Sequence, residues 1–134
     1  MTWLIDTNVL SELRKGDGAA AGVRAWFDDA QEEDLYTSVL VLGEVRRGIE
    51  SIRRRDTASA AALEQWLARL TGQFGDRILP IDAAIADRWG TLNVPDPLPT
   101  VDGLLAATAL VHDMILVTRN PRDVERTGVR LLNP

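Results

Sequence analysis

The chain has 134 residues, of which 46% are hydrophobic, so it is long enough for one domain with a core of its own. It has no cysteine and a single histidine, which excludes disulfides, thiolate sites and metal sites built from several imidazoles. The net charge of −5 argues against a general nucleic-acid coat protein. No apolar run approaches a membrane span and no basic segment precedes the first apolar residues, so we expect a cytoplasmic protein without a secretory signal.

The first ten residues predict a buried strand followed at once by a helix. An apolar run over residues 3–5 ends on Asp6, and apolar positions resume at helical spacing after Thr7 and Asn8. Ligands in open α/β sheets bind outside the carboxyl ends of the strands, so Asp6 is well placed for chemistry. Aspartate is also a preferred helix cap, and this stretch by itself leaves both interpretations open.

Hydrophobic spacing predicts the next elements. The first helix covers residues 7–14 and stops at a glycine-rich break. A second, amphipathic helix covers residues 19–30, and we expect its Trp26 and Phe27 to lie in the core. An acidic loop then leads to a second short strand over residues 35–38.

Two long helices follow the second strand. Ser38 caps the first of them, which extends to about residue 55, and the second covers about residues 58–74. The first carries an apolar stripe at helical spacing, made of Leu42, Val45, Ile49 and Ile52. This pair predicts a helical hairpin that projects from the sheet.

The second half of the chain continues the alternation of strands and helices. Its predicted elements are a strand over residues 78–81, a helix over 83–91, a stiff, extended proline-rich connection over 92–100, a helix over 101–112 capped by Thr100, a strand over 114–117 and, after Gly128, a last strand over 129–132. Strands that alternate with helices predict an α/β fold with a mostly parallel sheet covered on both faces.

Four separate segments are expected to bring acidic or amide side chains to one edge of this sheet. All carboxyl ends of parallel strands lie at that edge, and the candidates that follow them or enter from it are Asp6, Glu44, Asp102, Thr118, Asn120 and Asp123. Ordinary alternatives exist for single residues. Asp102 could only stabilise a helix N-terminus, and Glu44 could pair with Arg47 on a solvated face. Asp123 could be a turn residue.

A cluster of carboxylates indicates a bound cation, because like charges repel one another. Two carboxylates ~4 Å apart repel by roughly 4 kcal/mol at an effective dielectric of ~20, so several share a pocket only if they are protonated or a cation neutralises them. Without cysteine or several histidines, the fitting cation is Mg²⁺ or Mn²⁺. Such an ion lowers the pKa of bound water and neutralises a phosphodiester.

Fourteen of the fifteen basic residues are arginine, a side chain suited to phosphate and carboxylate. Several of them lie on the helix of Glu44, where Arg46 and Arg47 could contact a nucleic-acid backbone. The same charges could equally form a solvated helix face.

Four blocks of the chain, residues 4–10, 38–44, 101–109 and 117–123, resemble the signature blocks of PIN-domain ribonucleases. More narrowly, together with the closing residues 127–134, they resemble VapC-type toxins of bacterial type II toxin–antitoxin pairs. The resemblance implies a PIN-like three-layer α/β/α fold with about five strands. It also implies a Mg²⁺-dependent endoribonuclease that inhibits translation, forms a homodimer, and is neutralised in a hetero-oligomer by a VapB-type antitoxin whose tail occupies the acidic groove.

The resemblance also assigns roles to residues. Asp6 and Asp102 match the main metal ligands, and Glu44 matches a third acid that binds the metal directly or through water. The fourth acidic position falls on Asn120, an amide, which leaves one metal or two open; Asp123 is expected to supply the missing charge and to take part in catalysis.

Two polar residues and an arginine complete the expected site. Thr118 matches a catalytic hydroxyl that orients water or a carboxylate, and Asn8 is expected to steady Asp6 by a hydrogen bond. Arg119, like Arg46 and Arg47, is a candidate contact for RNA or the antitoxin.

Three other functions were weighed against a nuclease. A receiver-like domain needs a lysine late in the chain, and Lys15 is the only lysine. A phosphatase with an Asp-x-Asp nucleophile is disfavoured because Asn8 stands where the second aspartate belongs. A PIN-like binding module without activity, whose acidic groove only receives a basic peptide, stays open because of the amide at Asn120.

Overall fold

Five strands alternate with six α-helices in the computed structural model, which describes every residue from Met1 to Pro134. The strands are β1 (Trp3–Ile5), β2 (Leu35–Ser38), β3 (Ile78–Leu79), β4 (Ile115–Val117) and β5 (Leu131–Leu132). The helices are α1 (Thr7–Leu13), α2 (Ala21–Asp29), α3 (Val39–Arg53), α4 (Thr57–Phe74), α5 (Ala83–Leu92) and α6 (Thr100–Val111). None of the helices combines the length and the apolar character that crossing a bilayer would require.

The strands form one sheet in the order β3-β2-β1-β4-β5, and all four pairings are parallel. Strands β2 and β3 therefore lie on one side of β1, and strands β4 and β5 lie on its other side. Because parallel crossovers are right-handed, the connecting helices of the two halves cover opposite faces of the sheet. This confirms the predicted three-layer α/β/α fold. It also places a topological switch point, where ligands bind in such folds, between β1 and β4.

The core lies around the two central strands. Leu4 and Ile5 of β1 and Val117 of β4 are completely buried, as expected for strands covered on both faces. On α6, Ala106 and Ala107 are also fully buried, because small side chains let the helix approach its neighbours closely.

Helices α3 and α4 form the predicted helical hairpin. Val45 and Ile49 of the predicted stripe are buried, and Leu42 and Ile52 are partly buried against the same core. Arg46 and Arg53 of α3 both form ion pairs with Glu50 and with Glu64 of α4, so this surface network joins the two helices.

Two predicted strands are too long. β3 ends at Leu79, before Pro80, because proline has no N–H to donate to the sheet. β5 begins only at Leu131, although Val129 is buried. Gly128 does turn the chain before it, with a left-handed φ of +79° that suits glycine.

Three expectations for other segments are wrong. Phe27 is 37% exposed, whereas Trp26 is partly buried with its ring edge-on to Trp3. Thr100 is the first residue of α6, and Pro99 occupies the cap position without a side-chain bond. The proline-rich connection is a closed loop, because Asn93 donates to the Trp89 carbonyl at 2.7 Å and accepts the Leu98 N–H at 2.9 Å.

Candidate active site

Asp6 lies directly after β1 and joins the two central strands to α1. Its backbone N–H donates to the Val117 carbonyl of β4 at 3.0 Å. One carboxylate oxygen accepts the Thr7 N–H at 2.7 Å, and the other accepts the Thr118 hydroxyl at 2.9 Å. The side chain is only 8% exposed. Asp6 therefore both caps α1 and presents a carboxylate of restricted orientation at the switch point.

Thr118 lies at the carboxyl end of β4 and organises this arrangement. Its hydroxyl oxygen accepts bonds from Asn8 Nδ2 at 3.2 Å and from the Asn120 N–H at 3.1 Å. With both of these bonds accepted, the hydroxyl directs its single proton to Asp6. The predicted direct bond from Asn8 to Asp6 is absent, because both polar atoms of the Asn8 amide bond the segment after β4, and Asn8 reaches Asp6 only through Thr118.

Glu44 faces Asp6 from the second turn of α3. The Thr7 hydroxyl donates to Glu44 Oε1 at 2.6 Å, so Thr7 contacts Asp6 through its backbone and Glu44 through its side chain. The alternative pairing of Glu44 with Arg47 is not formed. This carboxylate is thus held toward β1 and away from the solvated face of its helix.

Asp102 lies in the first turn of α6, close enough to the other acids for their charges to shift its pKa. Burial, the charges of Asp6, Asp123 and Glu44, and a hydrogen bond to Asp123 together raise the pKa of Asp102 to about 6. Burial also raises the pKa of Asp6; the bonds from Thr118 and Thr7 partly offset this, and the charge of Glu44 adds to it. Four acids from four separate segments therefore interact at one edge of the sheet.

Asn120 and Asp123 lie in the turn that follows β4. Asn120 Nδ2 donates to Asp123 Oδ2 at 3.0 Å. The amide at the fourth position is therefore joined to the nearby acid, which in turn contacts Asp102. Asp123 therefore lies where it was expected, as a negative charge next to the uncharged Asn120.

The donor set fits a hard divalent cation by its chemistry. All candidate ligands are oxygen atoms. Burial and, after it, the repulsion from the other acids raise the pKa of Asp102, and a neutralising cation would relieve both effects. No three acidic side chains are arranged so that one ion could contact all of them. Mg²⁺ commonly uses only one or two carboxylates and keeps several waters, so Asp6 and Asp102 are the side chains that would hold it.

The candidate contact arginines have different surroundings. Arg46 is engaged by Glu50 at 3.1 Å and by Glu64 at 2.7 Å. The guanidinium of Arg119 donates to Glu12 at 2.6 Å. All three are exposed, but only Arg47 forms no ion pair, which makes it the freest of the three to meet a phosphate or a carboxylate.

Glu12 is a residue of this region that the sequence analysis missed. It is only 7% exposed although it lies on the same short helix as Asn8. A signal was present, because Glu12 follows Asn8 by four residues and so shares its helix face. An acid on the helix face that points toward β4 could have been expected to pair with a basic residue of the loop after β4, such as Arg119.

The packing of Gly103 sets the position of the neighbouring Asp102. A methyl group at Gly103 would lie 3.2 Å from Leu98 and from the Trp89 ring of α5. The absence of a side chain therefore lets the first turn of α6 approach α5, and with it brings Asp102 to the other acids.

We expect Gly103→Ala to lower the melting temperature and to weaken Mn²⁺ binding. The added methyl overpacks the α5–α6 contact, which typically costs about 1–3 kcal/mol. The matched control is Gly72→Ala within α4, where nothing lies within 4 Å of the new methyl. That control should gain about 0.5–1 kcal/mol from helix propensity. Thermal denaturation and calorimetric titration measure both, and equal stabilisation of the two variants would refute the packing argument.

Known proteins match nearly the whole chain in sequence. A family described as PIN domain matches residues 3–129. The VapC ribonuclease Y4jK of Sinorhizobium fredii is 32% identical over 139 residues, covering 98% of this chain and 96% of that protein. Toxin FitB of Neisseria gonorrhoeae is 31% identical with the same coverage of both chains.

Solved structures resemble the chain over its whole length. The crystal structure of FitAcB from Neisseria gonorrhoeae matches with a TM-score of 0.89 at 28% identity, covering 99% of this chain and 98% of that chain. A toxin–antitoxin complex from Klebsiella pneumoniae matches with a TM-score of 0.75 at 25% identity, again covering 99% and 98% of the two chains.

Proposed function

The chain belongs to the PIN domain family, and from this premise we propose that it is a Mg²⁺-dependent endoribonuclease acting as the toxin of a type II toxin–antitoxin pair. The observation that carries the proposal is the meeting of four acids from four segments at the switch point of the sheet, with the pKa of Asp102 raised to about 6. Such a group of charges is matched to a divalent cation and, through it, to an anionic substrate.

The side chains of this site have distinct tasks in the proposal. Asp6 and Asp102 would hold the ion, and Glu44 would contact it directly or through water. When bound, the ion lowers the pKa of a water molecule and offsets the negative charge of a phosphodiester. Thr118 and the Thr7 N–H keep the Asp6 carboxylate in one orientation, so little has to be reorganised when the ligand arrives.

The relatives support the choice of substrate and partner. Two of them are named as a VapC ribonuclease and a toxin, and similar solved structures include toxin–antitoxin complexes. We therefore propose that RNA is the substrate, that cleavage inhibits translation, and that the chain forms a homodimer. A cognate VapB-type antitoxin with a basic tail would bind the acidic groove in a hetero-oligomer, and Arg47 is the freest arginine for either ligand.

A cleavage assay with purified protein and structured RNA tests the proposal. Cleavage should rise with Mg²⁺, be restored by Mn²⁺, and stop when a chelator is added. Asp6→Asn, purified in the same way, excludes a contaminating nuclease. Cleavage that persists in chelator, or the absence of any cleavage over a range of RNA substrates, would contradict the proposal.

The second candidate function is a binding module without activity, and the Asn120–Asp123 pair is the observation that favours it. An amide replaces one acid, and no three acidic side chains are arranged to hold one ion. Such a module would bind an arginine-rich peptide at the acidic groove and cut no RNA at any Mg²⁺ concentration. The same assay, with the peptide added, separates the two functions.

We expect Asn120→Asp to tighten Mn²⁺ binding. The substitution replaces the 3.0 Å amide–carboxylate bond by a second carboxylate beside Asp123, and a cation relieves the resulting repulsion. Calorimetric titration should show an affinity several-fold higher, on the order of 1 kcal/mol. Gln65→Glu on the exposed face of α4 adds the same charge at a distance and serves as the control. Unchanged affinity in Asn120→Asp would remove this position from the metal site.

A further inference from the structure

Glu12 is a buried carboxylate at which three parts of the chain meet. Its Oε1 accepts bonds from Lys15 Nζ at 3.0 Å and from Arg119 Nη1 at 2.6 Å. Its Oε2 accepts the Ala20 N–H, at the start of α2, at 2.8 Å. A buried charge is tolerated only when it is paired and hydrogen-bonded, and Glu12 meets this condition with both oxygens occupied.

The same face of α1 holds Arg119 at a second point. Asn8 precedes Glu12 by one helical turn, and its Oδ1 accepts the Arg119 backbone N–H at 3.1 Å. Arg119 is therefore fixed at both ends, its backbone by Asn8 and its guanidinium by Glu12. We call these two contacts the Arg119 clamp.

The clamp acts on the residues on either side of Arg119. Thr118 donates to Asp6 at 2.9 Å, and the Asn120 N–H donates to the Thr118 hydroxyl at 3.1 Å. The Thr118 backbone is also held by the sheet, because its N–H donates to the Leu132 carbonyl at 3.0 Å. Arg119 lies between the two residues of this chain of bonds, so a change in its backbone conformation would reach Asp6 through the Thr118 hydroxyl.

We propose that Glu12 is a positioning residue of the active site, which acts through the Arg119 clamp to hold Thr118 against Asp6. The effect on metal binding and cleavage rests on the proposed function, whereas the effect on the loop does not. Glu12 is only 7% exposed, since its carboxylate is covered by Lys15, Arg119 and the start of α2, so its link to the site is the contact with Arg119.

The chemistry of Glu12 shows why a neutral side chain of the same shape cannot replace it. Both oxygens face donors, namely the Ala20 N–H on one side and the Lys15 and Arg119 cations on the other. Glutamine has only one acceptor oxygen, so its NH₂ group would face either the Ala20 N–H or the two cations. The backbone N–H is fixed at the start of α2, so the Arg119 side chain is the partner that leaves.

The test compares Glu12→Gln with two other variants. Arg119→Ala breaks the same contact from the other side, and it remains informative if Glu12→Gln fails to fold. Lys15→Ala is the matched control, because its exposed ammonium binds the same Glu12 oxygen but is not attached to the loop after β4. Amide hydrogen exchange at Arg119 and Asn120, the Mn²⁺ dissociation constant, and kcat and KM for RNA are measured for each.

We expect Glu12→Gln and Arg119→Ala to speed exchange at both amides and to weaken Mn²⁺ binding by about tenfold, the lower end for loss of an outer partner of a metal site. In Glu12→Gln, kcat should fall by a similar factor and KM should stay the same, whereas an RNA contact would change KM. Lys15→Ala should leave all these quantities within about twofold of the wild type, because an exposed ion pair contributes little.

A double-mutant cycle distinguishes positioning from a general loss of stability. If Glu12 acts through Thr118, then Glu12→Gln should cause little further loss of Mn²⁺ affinity in a Thr118→Val background, since contacts in one network are not additive. Additive losses would overturn the proposal, as would unchanged exchange at Arg119 and Asn120. Wild-type protein that neither binds Mn²⁺ nor cuts RNA would instead overturn the proposed function.

Discussion

Replacing Asp6 by asparagine should abolish RNA cleavage and leave the fold intact. The charge at the switch point is lost, and we expect a decrease beyond the roughly 100-fold that loss of an outer partner of a metal can cause. The fold should survive because burial already disfavours the charged form of Asp6, as its raised pKa shows. Asparagine also keeps one oxygen for the Thr7 N–H that caps α1.

Single-turnover cleavage with saturating Mg²⁺ measures this loss, and thermal denaturation checks the fold. Asp87→Asn, the same change on the exposed side of α5, is the control and should cut RNA at the wild-type rate. If Asp6→Asn cuts as fast as the wild type, the ion is held elsewhere and the site assignment is wrong.

Without a divalent cation, the protein should become more stable as the pH falls from about 7.5 to 5. The folded state raises the pKa of Asp102 from 3.8 to about 6, so it binds this proton more tightly than the unfolded chain does. The stabilisation is complete below the unfolded pKa and is lost as the pH rises through about 6. The full shift would correspond to about 3 kcal/mol, of which about half develops between pH 7.5 and 5. Solvent screening of this partly exposed side chain reduces the expected gain in that window to about 1 kcal/mol at most.

Mg²⁺ should reverse this dependence, because the ion and the proton compete for the same carboxylate. The added ion should raise the melting temperature clearly at pH 7.5 and hardly at pH 5. Melting curves of the wild type and Asp102→Asn, with and without Mg²⁺, isolate this group from the other acids. The variant should lose both effects, whereas Asp87→Asn should keep them. A pH dependence that is identical in Asp102→Asn and the wild type would show that Asp102 is not the titrating group.

Local signals predicted the elements that carry the site. The run that ends on Asp6, the Ser38 cap before the helix of Glu44, and the apolar strand before Thr118 each depend on neighbours in sequence. The parallel arrangement followed from the alternation of strands and helices, and it was sufficient to bring Asp6, Asp102 and Glu44 to one edge. The family resemblance then pointed to the same residues from their order along the chain.

Side-chain partners far apart in sequence were not predicted. The helix face that Glu12 shares with Asn8 was its one local signal, and its partner Arg119 lies 107 positions away. Nothing near Arg46 indicates its bond to Glu64 on the next helix. Asn8 was expected to bond Asp6 and instead bonds Thr118, because the loop after β4 comes closer to it.

The sequence by itself therefore determined which residues form strands and helices, and that several acids end at one edge of a parallel sheet. Periodicity and capping are local properties, and the alternation of strands with helices indicates parallel pairing, whereas the order of the strands came from the structure. Only the tertiary structure decided which arginines remain free, that Phe27 is exposed, and that Glu12 is buried beside the site. Those outcomes depend on how closely distant segments of the chain pack together, because a charged side chain forms an ion pair only when a partner lies within hydrogen-bond distance.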